Sequence, residues 1–130
     1  YATKSRISIV DLEDIAEVAR IVLTQPGHLH AVYELAGPQP LSQDEVAQVI
    51  SRVLKRPVAA EALDRSQWSK KMEASGMNDA TRITLLKMFE YYERHGLIGN
   101  PNILNCLLNR SAGTFESFVE RQISASDGTR

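Results

Sequence analysis

The feature that most constrains the fold is a short strand-like run at residues 7–10 that passes directly into a helix-forming pattern. The run is rich in β-branched residues, which favour a strand. Asp11 follows it, and a carboxylate there can accept hydrogen bonds from the free N–H groups of a first helical turn. Apolar residues then recur at helical spacing until Pro26-Gly27 stops the helix. The inward face is expected to comprise Leu12, Ile15, Ala16, Ala19, Val22 and Leu23.

Two more strands and a second helix are predicted before residue 65. The apolar residues 31–36 indicate a largely buried strand. Ser42 and Glu45 have the spacing of a capping box, which begins a helix that ends before Pro57. Residues 58–63 are expected to form a third, short strand. The order strand, helix, strand, helix, strand predicts α/β packing on a small parallel or mixed sheet of about three short strands.

From residue 66 onward the pattern predicts helices only, so the fold class lies between α/β and α+β. Ser66 is expected to cap a short helix, a longer helix ends at Gly96, and Thr114 caps the last helix. The end of the chain has few apolar residues to bury and should be frayed. The predicted divisions are a strand-and-helix unit at 1–65, an all-helical subdomain at 66–124 and a tail at 125–130.

The composition of the chain limits the classes of binding partner that are expected. Apolar residues make up 43% of the chain, charged residues 24%, and the net charge is −1, as in ordinary globular domains. Lysines and arginines are scattered among similar numbers of acids, so no basic face for nucleic acid is expected. No apolar run approaches the ~20 residues of a membrane span, so no membrane partner is expected. Cys106 is the only cysteine and cannot form an internal disulfide, which favours the reducing cytoplasm.

An aromatic and methionine-rich cluster in the helical segment is the best candidate for a substrate pocket. Such side chains can line an adaptable apolar cavity with a few polar tips. The alternative is that they form plain core, because every domain has a core and pockets are few. The candidate pocket residues are Trp68, Met72, Met88, Phe89, Tyr92 and His95.

The remaining candidates for chemistry favour structural explanations. His28 and His30 are two residues apart in a predicted loop, but too few further ligands are near in sequence to predict a zinc site. The carboxylates of Asp11 and Asp14 fall in a first helical turn, where the helix dipole favours them, so capping explains them better than metal binding or acid–base chemistry. No catalytic residue and no metal ligand is therefore predicted.

Two motifs of dinucleotide-dependent enzymes are missing from the sequence. No Gly-x-Gly-x-x-Gly or similar turn follows a strand, so nothing is predicted to cradle a pyrophosphate. There is also no Tyr-x-x-x-Lys pair, since Tyr91 is followed four places on by His95.

Several stretches nevertheless resemble one family. Residues 6–16, Arg-Ile-Ser-Ile-Val-Asp-Leu-Glu-Asp-Ile-Ala, resemble the strand and "Val-Asp, x-x, Asp-Ile-Ala" passage of extended and atypical short-chain dehydrogenase/reductases. Residues 32–38, Val-Tyr-Glu-Leu-Ala-Gly-Pro, resemble their last central strand, residues 41–58 the next helix and turn, and residues 114–119 the closing helix. The resemblance is closest to the NmrA-like, NAD(P)-binding proteins, and it covers only the carboxy-terminal half of such a protein.

The resemblance implies the end of a Rossmann-type domain followed by a substrate-side subdomain. The parent protein would use NAD(P) to reduce a small molecule or to sense the dinucleotide, and the family's glycine-rich turn would lie in its first half. This chain alone is expected to bind no dinucleotide, to be inactive, and to self-associate as a homo-oligomer. The alternative is a free-standing small interaction or ligand-binding module without enzymatic activity.

Overall fold

The computed structural model describes residues 3–127, which form six helices and two short strands. In chain order the elements are β1 Ile7–Ser8, α1 Leu12–Thr24, β2 Pro40–Leu41, α2 Gln43–Leu54, α3 Arg65–Ala74, α4 Asp79–His95, α5 Asn102–Leu108 and α6 Phe115–Asp127. Residues 128–130, the last part of the predicted frayed tail, lie outside the described residues. No helix over residues 3–127 is long and apolar enough to span a membrane.

The sheet is smaller than predicted and is antiparallel. β1 pairs with β2, with Ile7 opposite Leu41. One parallel bridge joins Ile7 to Leu97, where the Leu97 N–H donates to the Arg6 carbonyl at 2.9 Å. Gly96 precedes this bridge with φ of 66°, and a Cβ there would lie 2.8 Å from the Arg6 carbonyl oxygen, so only glycine fits.

Two predicted strands, residues 31–36 and 58–63, are not formed in the described part of the chain. The prediction of a largely buried strand at 31–36 is also wrong, because Val32 is 97% exposed and only Ala36 is buried. A strand needs a neighbour that offers complementary N–H and C=O groups. No second strand of residues 3–127 lies along either segment, so their β propensity is not realised.

The inward face predicted for α1 is rotated in the structure. Its buried residues are Asp14, Val18 and Ile21, whereas Leu12 and Leu23 are 79% and 83% exposed. The reason is that α1 carries apolar residues on two adjacent stripes, and α5 packs against the stripe that contains Val18. The second stripe is left facing solvent.

The core lies between α1 and α5. It consists of Val18, Leu104, Leu108 and Ala112, and Leu104 is completely buried. The last helix packs against α2, while α3 packs against α4 as a hairpin with no buried residue of its own. The helices after residue 100 therefore return to the first part of the chain, and the division at residue 65 stays a prediction.

Gly37 illustrates how closely the backbone packs beside β1. A Cβ at Gly37 would lie 1.6 Å from the carbonyl oxygen of Ile9, which no side chain can tolerate. The Gly-Pro exit of the segment is thus required by the close approach of two backbone segments.

Candidate functional site

An aromatic-lined cavity lies where the segment before α3 meets α4, and we call it the α3–α4 cavity. Its volume is about 340 Å³, which is within the range of small-ligand pockets. An apolar floor is combined with a polar rim. The lining residues are Thr3, Gln43, Ala60, Glu61, Leu63, Arg65, Trp68, Leu86, Phe89 and Glu93.

The aromatic floor of the α3–α4 cavity is set by helix packing. Trp68 of α3 meets Phe89 of α4 edge to face, with ring centroids 5.0 Å apart and an interplanar angle of 83°. This is a favoured arrangement of two aromatic rings. Leu86 and Phe89 lie one turn apart on α4, so one face of that helix supplies much of the floor.

Ion pairs fix α3 against α4 at the rim of the cavity. The Arg65 guanidinium donates to the Glu90 and Glu93 carboxylates, each at 2.6 Å. The hydrogen bond to Glu93 raises the pKa of Arg65, so this side chain is always charged. Asp64 caps α3 by accepting from the Ser66 N–H at 3.3 Å, and the hydrogen bond from the Ser66 hydroxyl lowers the Asp64 pKa. The cap predicted at Ser66 is therefore two residues too late.

The structure distributes the predicted pocket residues over more than one place. Trp68 and Phe89 line the α3–α4 cavity. His95 is exposed, lies 4.7 Å from the Tyr91 ring by centroids, and lines a separate cavity of about 180 Å³. The other three candidates are half-buried and line neither cavity; they are Met72, Met88 and Tyr92.

The polar rim of the cavity is not predictable from the sequence. Glu61 and Leu63 come from a segment predicted as a strand, and Arg65 was assigned no role. One signal could have pointed to Glu93, because it follows Phe89 by four residues and so shares its helix face. No local pattern brings residues 60–63 to α4.

A carboxylate takes part in the cap at each of the two junctions between a strand and a helix. Asp11 accepts from the Glu13 N–H at 3.0 Å. Glu45 accepts from the Ser42 N–H at 2.8 Å while its own N–H donates to the Ser42 hydroxyl. At the last helix, the Thr114 hydroxyl accepts from the Ser117 N–H at 3.1 Å.

The ion pair of Asp11 with Arg121 affects the pKa of Asp11. Burial acts to raise the pKa of this carboxyl, but hydrogen bonds from Arg121 and from the Glu13 N–H outweigh burial and hold the pKa below its ordinary value. The hydrogen bonds from the Ser42 backbone and hydroxyl likewise lower the pKa of Glu45. Both carboxylates therefore stay ionised at neutral pH.

These caps decide whether a dinucleotide fits. A pyrophosphate needs the free N–H groups at the positive end of a helix, reached through a close glycine-rich turn. In the described residues, the carboxylates of Asp11 and Glu45 already occupy the first turns of α1 and α2, where they would repel a phosphate. The strand-to-helix junctions between residues 3 and 127 do not fit this group.

A second polar cluster, the Asp14 cluster, joins α1 to the loop before α6 and consists of Asp14, Glu17, Arg110 and Gly113. The Asp14 side chain is buried and accepts from Arg110 at 2.8 Å and from the Gly113 N–H at 2.7 Å. Arg110 also donates to Glu17. The hydrogen bonds to Glu17 and Asp14 raise the pKa of Arg110. Because every member has a partner within the chain, this cluster is structural.

The histidines are not gathered into a metal site in the described part of the chain. His28 Nδ1 lies 2.7 Å from the Tyr33 hydroxyl, so it already has a hydrogen-bond partner. Over residues 3–127 no group of three or more histidine, cysteine, aspartate or glutamate side chains is arranged to hold a metal ion.

Comparisons with known proteins agree with this fold. NAD(P)H azoreductase of Xenophilus azovorans is 31% identical over 122 residues, which cover 94% of this chain and 43% of the relative. The NADPH-dependent quinone oxidoreductase of Escherichia coli has a TM-score of 0.75 at 21% identity, over 92% of this chain and 43% of that structure. Triphenylmethane reductase of Citrobacter sp. has a TM-score of 0.74 at 20% identity, over 94% and 42%. No protein-family model matches the chain.

The chain thus spans less than half the length of these relatives. Similarity to these reductases over most of the chain confirms the resemblance to the carboxy-terminal part of the NmrA-like, NAD(P)-binding atypical short-chain dehydrogenase/reductases.

Proposed function

We propose that this chain is the substrate-side portion of an NAD(P)-dependent oxidoreductase that reduces a small ring-containing molecule. The observation that carries the proposal is the α3–α4 cavity, whose floor is the edge-to-face pair of Trp68 and Phe89. Planar substrates gain from such a floor, because aromatic rings prefer edge-to-face or offset contacts with other rings. Relatives named for azo compounds, quinones and triphenylmethane dyes support a ring-containing substrate.

In this proposal the hydride donor is bound by the part of the parent protein that this chain does not span. Relatives have been crystallised with NADP(H) or NADPH, which supports a nicotinamide cofactor in the parent. The capped junctions described above support a dinucleotide site outside residues 3–127. The role of this chain is then to bind and orient the substrate and to exclude water from it, and the isolated chain is inactive.

The same proposal gives the parent a cytoplasmic location and a small molecule as its partner. A non-enzymatic interaction module is the second candidate, and exposed apolar residues support it. Leu12, Leu23, Leu29 and Val32 are each at least 79% exposed, which leaves apolar surface for another protein segment to cover.

The coding sequence upstream of Tyr1 separates the two candidates. The enzyme proposal predicts that it encodes a strand and a glycine-rich turn, and that the longer protein oxidises NADPH in the presence of a naphthoquinone. A start codon immediately before Tyr1 would support the interaction module.

A variant of the longer protein tests the cavity itself. Phe89→Leu keeps an apolar side chain but loses the ring, so we expect the KM for the quinone to rise about two- to tenfold. Phe118→Leu on α6 is the matched control and should leave the KM unchanged, since it lies outside the cavity. Equal KM values for both variants would contradict the proposed substrate site.

A further inference from the structure

The charge at the rim of the α3–α4 cavity is not balanced. Arg65 is the only cation among the described residues that line the cavity. It pairs with Glu93, which also lines the cavity, and with Glu90, which does not. Glu61 adds a further carboxylate at the rim and makes no ion pair or hydrogen bond within the described part of the chain. One guanidinium and the two carboxylates of Glu61 and Glu93 therefore leave the described lining with a net charge of −1.

The floor beneath this acidic rim suits a cation of a particular kind. A cation over the face of a tryptophan or phenylalanine ring is attracted by the electrons of the ring, and tryptophan is the best such partner. Trp68 and Phe89 provide two rings, and Leu63 and Leu86 provide apolar surface for the body of a ligand. A strongly hydrated small cation gains little from such surroundings, whereas an organic cation gains from both the rings and the carboxylates.

We infer that the α3–α4 cavity selects positively charged aromatic molecules over neutral or anionic molecules of similar shape. This inference rests on the proposed function, because it names the substrate class of the same site. The ring of the ligand packs on Leu63, Leu86 and Phe89, and its cationic centre lies between Trp68 and the Glu61 carboxylate. Arg65 is held by Glu90 and Glu93, so it does not offer a free positive charge to an anionic ligand.

Trp68 makes the inference directly measurable, because it is the only tryptophan and gives a single indole N–H signal in a ¹H–¹⁵N correlation spectrum. Three probes are titrated into the chain: benzyltrimethylammonium, which is cationic, benzyl alcohol, which is neutral, and phenylacetate, which is anionic. We expect the Kd of the cation to be about three- to tenfold lower than that of the alcohol, with phenylacetate the weakest. Added salt should weaken binding of the cation and leave the alcohol unchanged.

The variant Glu61→Gln removes the rim charge with little change in shape. It should reduce the preference for the cation to about twofold or less and leave the Kd of benzyl alcohol unaltered. Glu120→Gln is the matched control, since Glu120 is exposed on α6 and makes no ion pair within residues 3–127. It should leave the preference at its original value.

The outcomes test the preference for cations separately from the proposed substrate site. Equal Kd values for the cation and the alcohol, or equal effects of the two variants, would overturn the charge preference while leaving the cavity as a substrate site. An indole signal unmoved by all three probes would overturn both. Selective binding of the cation by this chain, together with a longer protein that does not oxidise NADPH with a naphthoquinone, would support the inference and contradict the proposed enzyme.

Discussion

Replacement of Asp14 should destabilise the fold more than any other single removal of a charge on α1. Asp14 is 4% exposed and joins α1 to the loop before α6 through Arg110 and the Gly113 N–H. Asp14→Ala removes a charge-assisted hydrogen bond and leaves the Gly113 N–H without its acceptor. An unpaired buried donor alone costs about 1–3 kcal/mol, so we expect a total loss of about 2–4 kcal/mol in the free energy of unfolding.

Two further variants separate the contribution of the Asp14 charge from that of its hydrogen bond with the Gly113 N–H. Asp14→Asn keeps an oxygen that can accept from Gly113 but loses the charge, so it should cost about half as much as the alanine variant. Glu17→Gln removes the other, more exposed partner of Arg110 and should cost less than about 1 kcal/mol. The assay is urea unfolding followed by far-ultraviolet circular dichroism.

Two results of urea unfolding would exclude this role for Asp14. If Asp14→Ala and Glu17→Gln shifted the urea midpoint equally, burial of the Asp14 carboxylate would have no energetic consequence. If Asp14→Asn cost as much as Asp14→Ala, the Gly113 N–H would not matter, and the charge alone would explain the loss.

Further predictions follow from the packing and the caps. Val49→Ala on the half-buried face of α2 should cost roughly 1–2 kcal/mol in urea unfolding, against about 0.5 kcal/mol for the exposed Gln48→Ala, and equal costs would show that the helix phase is wrong. Gly37→Ala should cost about 3 kcal/mol or abolish folding, because the added Cβ overlaps backbone; a variant of native stability would contradict this. The Asp11 pKa is lowered in the fold, chiefly by Arg121 acting against burial, so its stabilisation is present above the unfolded pKa of about 3.9 and is lost as the pH falls through the lower folded pKa. Asp11→Asn should therefore flatten the acid limb of the stability curve, and an unchanged limb would exclude this origin. The chain should self-associate at micromolar concentration through the exposed apolar stripe of α1, which includes Leu12 and Leu23. A monomer in light scattering would show that this stripe does not need to be buried against another chain.

The sequence predicted best those features that arise from neighbours along the chain. The capping oxygens of Asp11, Ser42 and Thr114 act on N–H groups two or three residues away, so their spacing alone indicates a helix start. Strands are predicted less well from the sequence, because a strand forms only where another segment of the chain pairs with it. Residues 31–36 have the composition of a strand but no neighbouring strand among residues 3–127.

The residues of the α3–α4 cavity also divide into those that local spacing predicts and those that depend on tertiary packing. Phe89 and Leu86 could be assigned to one helix face from their spacing, and Trp68 was a candidate by residue type. The rim could not be predicted, because Glu61 and Arg65 reach α4 through tertiary packing that follows no periodic pattern. The rotated face of α1 has the same cause, since only the position of α5 decides which of two apolar stripes is buried.

We propose that this chain supplies the substrate site of a reductase whose dinucleotide site lies elsewhere. The indole N–H signal of Trp68 is a direct probe of that site, in one titration series of the folded chain with NADPH and with a naphthoquinone. We expect the quinone to shift this signal saturably and NADPH to leave it and the rest of the spectrum unchanged. Saturable binding of NADPH at micromolar concentration, or a quinone that leaves the Trp68 signal in place, would rule out this division of the two sites.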